Sequence, residues 1–392
     1  MSHTETATDI AIVGAGPAGL ALAALLAGSG YRLMLLERQP EEALAAPQDD
    51  GREIALTHKS VRLLKQIGAW SLLRDDEVAP LRAAHVTDGA SPYCLAFPGS
   101  ERGPLGFIVP NYAIRRVLFE CVSAQANVTL RVGVSVTGLD GRGSLRQLQL
   151  DSGDLVEAPL VVAADSRFSE VRRMAGIGAD MRDFGRTAIV GRVRTERDHE
   201  GIARECFGYG STLALLPLAE QTLSSAVVTV PSNRAEAISA LSGEDFARHV
   251  LRESDAALGG VRCEDARFSY PLVGVYARQF YSRRFALAGD AAVGMHPVTA
   301  HGFNLGLASA DSLAAELLKL RGLADEKPLQ RALGRFQFRH RLESLPIYEG
   351  TNKVVGLFTD ERAPAKLIRK AVLRVSNLLP PIRKAITYQL TR

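Results

Sequence analysis

The stretch Ile10-Ala-Ile-Val-Gly14-Ala15-Gly16-Pro17-Ala18-Gly19-Leu-Ala-Leu-Ala-Ala-Leu-Leu26 joins a short apolar run to a helix-prone run through a turn with glycine at three fixed offsets. Each glycine answers a different steric demand. Gly14 lets the chain turn tightly, Gly16 leaves no Cβ where a ligand must approach the backbone, and Gly19 lets the helix pack closely on the strand. The unpaired N–H groups opening that helix, with the helix dipole behind them, favour an anion.

Strand, glycine turn and helix in this order make the Rossmann dinucleotide-binding fingerprint. A second apolar run, Leu33 to Leu36, ends in Glu37-Arg38, and Glu37 lies eighteen residues beyond Gly19. Its carboxylate can accept hydrogen bonds from an adenosine ribose. This much leaves NAD, NADP and FAD open. Further on, Leu160 to Ala164 reads as a buried strand delivering Asp165-Ser166-Arg167 to its carboxyl end, where open α/β sheets bind ligands. Phe285 to Ala288 reads as another, ending in Gly289-Asp290 and a loop with His296, Pro297 and Gly302. From Phe303 to Leu320 Leu and Ala recur at helical spacing, so Gly302 is expected at a helix N-terminus. A ring system that becomes anionic on reduction gains stability there as a phosphate does. Two such turns almost 300 residues apart suggest one long dinucleotide held across a whole domain.

These three elements resemble the group A flavoprotein monooxygenases, whose para-hydroxybenzoate hydroxylase-like fold carries an N-terminal GxGxxG, a middle "DG" and a late "GD" motif. Within that group the chain is most similar to the ubiquinone-biosynthesis hydroxylases, the UbiH, UbiF and UbiI group, and in its Asp165-Ser-Arg-Phe-Ser and His296-Pro-Val-Thr-Ala-His-Gly-Phe-Asn wording to their UbiM relatives. The resemblance implies that Gly14, Ala15, Gly16, Pro17, Ala18, Gly19, Glu37 and Arg38 hold the adenosine and pyrophosphate half of FAD. It places Arg52 near the flavin, gives Asn111 an FAD contact, and makes Asp165 the DG aspartate, which touches both FAD and NAD(P)H. Gly289 and Asp290 become the GD pair on the ribityl chain. Gly302, Phe303 and Asn304 become the backbone beside the isoalloxazine, with Pro297 close to the ring. Phe207, Gly210 and Leu213 to Leu218 match the family's substrate-domain strands. The family's DG glycine is Ser166 here, and its Gly-Gln before Gly302 is Ala300-His301. An imidazole at that point can deprotonate a phenol, because histidine titrates near neutrality, or can be a loop residue bonded to carbonyls. Arg52, Pro297 and His301 are the candidate catalytic residues.

The expected fold class is α/β: a Rossmann-like FAD-binding domain with an inserted α+β substrate domain and C-terminal helices. The expected division is 1–80, 105–183 and 271–350 for the FAD-binding domain, 81–104 for a crossover, 184–270 for the substrate-domain sheet, and 351–392 for a basic helical tail. At 392 residues and 46% apolar composition the chain can bury one large core and a smaller one. The four cysteines show neither metal spacing nor a dense framework, and the N-terminus lacks the basic and apolar regions of a signal peptide. A cytoplasmic location follows as the expectation, and no metal site is expected.

Charge is uneven. The formal total is +4, yet residues 363 to 392 hold seven Lys and Arg and no acid. Between Pro364 and Pro380 the apolar side chains gather on one helical arc opposite four cations, a pattern suited to an anionic membrane surface and equally to a helix packed on its own protein. Nucleic acid is not expected, since the tail has only Tyr388 for stacking. The activity implied by the resemblance is hydroxylation of a polyprenylated phenol on the route to ubiquinone, with bound FAD, O2 and transient NAD(P)H. The alternatives are hydroxylation of a soluble aromatic metabolite, and a membrane-attached, non-catalytic subunit of a quinone-biosynthesis complex.

Overall fold

The computed structural model describes residues 5–89, 94–99, 103–208, 210–254, 258–296 and 301–359. Ile10–Val13 forms the expected strand and is buried on both faces, as a central strand of a covered parallel sheet must be. Among the described residues the sheet around it has the order Tyr281–Ser282, Phe285–Leu287, Leu160–Ala163, Ile10–Val13, Leu33–Glu37, Val128–Val132. All neighbours run parallel except the short Tyr281–Ser282 strand at the edge. Ala163 pairs with Val13 on one side and with Leu287 on the other, so three strand ends remote in sequence finish side by side.

One face of this sheet carries the helices Pro17–Leu25, Asn111–Ser123 and His301–Leu317. The other is covered by a four-stranded sheet of Glu5–Ala7, Leu155–Ala158, Leu145–Leu150 and Val136–Arg142, whose Leu148, Leu150 and Val156 enter the same apolar core. Helix His301–Leu317 carries Gly302 in its first described turn, at the helix N-terminal end expected of it.

A second, eight-stranded sheet has the order Val293–Gly294, Val261–Ala277, Ala179–Thr195, Leu223–Pro231, Thr212–Pro217, Ile202–Phe207, Ala83–Asp88, Cys94–Pro98. Helices Ser232–Ser239 and Gly243–Glu253 close one of its faces through Ile189, Val228, Phe246 and Val250. Its edge strand Val293–Gly294 directly follows the Gly289-Asp290 turn, which joins this sheet to the end of the parallel one. A small antiparallel sheet of Glu53–Leu56, Gly106–Pro110 and Ala79–Leu81 completes the arrangement. The chain's long C-terminal helix runs over Glu326–Thr359, and the basic segment between Pro364 and Pro380 lies outside the described residues. Among the described residues no helix is long and apolar enough to cross a membrane.

Candidate active site

Three turns meet at the carboxyl ends of the adjacent parallel strands, and glycines set how closely. Gly14 has φ +104°, and a Cβ there would lie 2.6 Å from the Ala164 carbonyl oxygen and 2.7 Å from the Asp165 Cα. Gly289 has φ +62°, and its Cβ would lie 2.6 Å from the Ala18 Cβ. Only glycine allows these approaches. Gly19 packs likewise on the Gly14 carbonyl. Gly16 differs, because a Cβ on it would meet nothing within 4 Å. Its missing side chain therefore leaves open space at a helix N-terminus, the cradle a pyrophosphate needs.

Side chains fix the same three turns. Glu37, at the end of its strand, accepts the Ala15 N–H at 2.8 Å through one carboxylate oxygen and the Gln39 N–H at 2.9 Å through the other, placing a carboxylate at the rim of the glycine turn. Arg38 follows it in an exposed position. Asp165 is half-buried; burial raises its carboxyl above the ordinary range, against hydrogen bonds that include the Glu170 N–H at 3.2 Å. Arg167 donates to Asp290 at 2.9 Å and to the Val273 carbonyl at 3.0 Å. Buried Arg172 donates to the Ala291 carbonyl at 2.9 Å, and the Gly289 N–H donates to the Ser309 hydroxyl at 3.2 Å.

A second group gathers around Asp50. Arg52 pairs with its carboxylate at 2.5 Å, Asn111 donates to the same oxygen at 2.8 Å, and the Tyr270 hydroxyl donates to the Asp50 carbonyl. The Arg52 guanidinium also lies over the Tyr270 ring, 5.5 Å from its centre. Burial works to raise the Asp50 carboxyl, but Arg52 and Asn111 outweigh it and hold it below the usual range. Asp290 acts on Arg52 through space, and Arg115 feels Asp50, Arg52 and Glu37 together, so these charges lie in one neighbourhood. Beside them Arg192 reaches Asp49 at 3.0 Å and Glu53 at 3.1 Å. Desolvation of the fully enclosed Glu53 side chain prevails over that pairing and pushes its carboxyl up to about 7.

Asn304 is spent on the protein itself: its oxygen accepts the Thr57 N–H and the Ser60 hydroxyl, and its amide donates to the Ala55 carbonyl. Any role it has toward a ligand falls to its backbone, as it does for Gly302 and the half-buried Phe303 in the same helix turns. His301 opens that helix, half-buried. His296 is buried with its ring 4.7 Å from Phe184, and desolvation, helped by Arg186 and Arg167, depresses it to about 4. Pro297 lies outside the described residues.

Sequence reasoning passed over Asp50, Arg115 and Tyr270. Arg115 sits one turn after Asn111 on the same helix, and the dense charge of Asp49-Asp50-Gly51-Arg52-Glu53 marks the other; both signals are visible in retrospect, while Tyr270 carries none.

The FAD binding domain family matches residues 7–333. Ubiquinone hydroxylase UbiM of Neisseria meningitidis is 44% identical over 390 residues, covering 98% of this chain and 84% of that protein. Ubiquinone hydroxylase UbiL of Rhodospirillum rubrum is 34% identical over 97% of this chain and 88% of its own length. The crystal structure of Pseudomonas aeruginosa PqsL with 2-aminobenzoylacetate superposes with a TM-score of 0.76 at 22% identity, covering 93% of this chain and all of that one, a likeness of fold. A glycine cradle, two strand-end aspartates beside it and a helix start at the third turn are thus found in a chain that belongs to the ubiquinone-biosynthesis hydroxylase family of FAD-dependent monooxygenases.

Proposed function

We propose that the protein hydroxylates the aromatic ring of a polyprenylated phenol on the route to ubiquinone, using bound FAD, O2 and transiently bound NAD(P)H. The observation that carries this reading is the convergence of Gly14, Asp165 and Gly289 at neighbouring strand ends, in a chain similar over nearly its whole length to ubiquinone hydroxylases. The turn Gly14 to Gly19 binds pyrophosphate, with Glu37 and Arg38 at the adenosine side. Asp165 and Asp290 face the ribityl chain, and Asn111 orients the segment carrying Arg52 through Asp50. The backbone of Gly302, Phe303 and Asn304 lies beside the ring, with Pro297 near it. FAD, when bound, supplies the redox chemistry that couples NAD(P)H oxidation to oxygen insertion.

The protein's own contribution is placement, charge and exclusion of water. Arg52, held by Asp50 and Tyr270, offers a fixed cation to negative charge that develops on the substrate or cofactor. His301 is the candidate base for the substrate hydroxyl. The eight-stranded sheet keeps water from the reacting atoms. Deleting the gene and analysing lipid quinones by mass spectrometry tests the reading: a prenylphenol short of one hydroxyl should accumulate, and an unchanged quinone pool would favour a soluble aromatic substrate. The acid-free basic segment 363–392 supports peripheral attachment to the cytoplasmic face of the inner membrane, beside other quinone-biosynthesis proteins. Removing it should shift the protein from the membrane pellet to the supernatant; unchanged sedimentation would refute the attachment.

A further inference from the structure

The eight-stranded sheet has one face closed by helices and one turned toward the Asp49–Glu53 segment. Arg192 from the second face reaches Asp49 and Glu53, Tyr270 reaches Asp50, and the Phe268 ring occupies the space a Gly51 side chain would need. This is therefore the face that meets the segment carrying Arg52, which the proposed function sets beside the cofactor. Residues paired in register across strands point to the same face. From Phe268 the row passes to Val190, then Val227, Ala214, Glu205, Val86 and finally Leu95.

Six of these seven positions are apolar, and the seventh is a carboxylic acid. The alternation of the strand confirms its side: Cys206, next to Glu205, packs with the cluster under the helices, whereas Phe207, two positions on, joins Leu95 and Phe97 on the opposite face, where Leu357 of the long C-terminal helix also packs. Among the described residues the Glu205 carboxyl has no hydrogen bond or ion pair to offset its burial. Its strand position is partly accessible, yet the surrounding protein is dense enough that desolvation alone pushes the carboxyl up to about 8. A half-buried acid in such surroundings without a protein partner costs stability. Such a cost is retained where a ligand supplies the missing partner.

We propose that Glu205 binds the ring hydroxyl of the aromatic substrate through a single O–H···O hydrogen bond, fixing the ring against the apolar row of the sheet. The proposal rests on the reading of the protein as a phenol hydroxylase. The protonated acid donates to the phenol oxygen and leaves its O–H to His301, and the carboxylate accepts that O–H itself, so the contact forms in either state. Neighbouring Val86, Ala214 and Val227 offer apolar surface to the ring and its prenyl substituent.

The test compares two probes, a 2-prenylphenol and its O-methyl ether, titrated into oxidised holoenzyme at pH 9, where the carboxyl is ionised and only the phenol can donate to it, and followed by the change in flavin absorbance. Wild-type protein should bind the phenol about tenfold more tightly than the ether, the range expected of one hydrogen bond to an ionisable group. Glu205→Leu should erase most of that preference while leaving ether affinity within about twofold. Glu205→Gln, which keeps a hydrogen-bonding side chain, should retain it in large part. A preference that survives in Glu205→Leu would overturn the role of Glu205. Equal wild-type affinity for both probes, with phenol-stimulated NAD(P)H oxidation intact, would overturn that role and leave the hydroxylase reading standing. If neither probe binds wild-type holoenzyme or stimulates NAD(P)H oxidation, both are overturned.

Discussion

Arg167 holds Asp290 at 2.9 Å, and through this one ion pair the loop after strand Leu160–Ala163 is fastened to the turn after strand Phe285–Leu287. Both side chains are about a third exposed, so the pair adds little stability by itself, roughly 1 kcal/mol or less. Its effect is positional. Asp290→Ala should abolish FAD retention without unfolding the chain, measured as the flavin-to-protein absorbance ratio after gel filtration beside a thermal melt. Full occupancy in the variant would contradict the assignment of Asp290 to the ribityl chain.

The glycines of the first turn separate a folding requirement from a binding one. Gly14→Ala forces a side chain to φ +104° and into the Ala164 carbonyl, and should cost at least about 2 kcal/mol of stability with or without cofactor. Gly16→Ala meets open space, so the apoprotein should melt as wild type does while FAD affinity falls at least about tenfold, roughly the 1.4 kcal/mol lost when a phosphate is held off the backbone. Equal effects of the two substitutions on apoprotein stability would be inconsistent with the cradle.

Glu53 gives the stability a pH dependence of predictable sign. Its carboxyl is raised from an ordinary 4.5 to about 7, so between these values the folded chain keeps a proton that the unfolded chain releases. Its contribution is complete below pH 4.5 and is lost as pH climbs through 7. Urea unfolding of wild type and Glu53→Gln across pH 4.5 to 8 should diverge by at most about 3 kcal/mol, with wild type the one that weakens on the alkaline side.

His296 produces the opposite slope. With its imidazole depressed from 6.5 to about 4 by burial and by Arg186 and Arg167, the contribution is present above pH 6.5 and is lost as pH falls through 4. His296→Gln should reduce acid lability in that window, by at most about 3 kcal/mol. The imidazole NMR signal of His296 should stay in its neutral form from pH 5 to 8, and a titration centred near 6.5 would refute the burial argument.

What the sequence disclosed was local. Gly14 to Gly19 could be read because strand, turn and helix are contiguous, and Asp165 and Asp290 because each follows a short apolar run that could only be a buried strand. The pairing of Arg167 with Asp290 spans 123 positions, and that of Asn111 with Asp50 spans 61. No periodicity encodes such contacts, since they depend on how separate elements pack. The place of Glu205 among valines and alanines depends on register across seven strands, which a single residue's slip would reverse.

The parallel sheet takes its central strand from residues 10–13 and its neighbour from residues 285–287, with 160–163 between them. A ribosome must therefore have released nearly three-quarters of the polypeptide before the three turns can meet. On the proposed flavin site, fragments arrested earlier in synthesis should stay unpigmented whatever the vitamin supply, so that yellow colour would report that translation has passed the third turn.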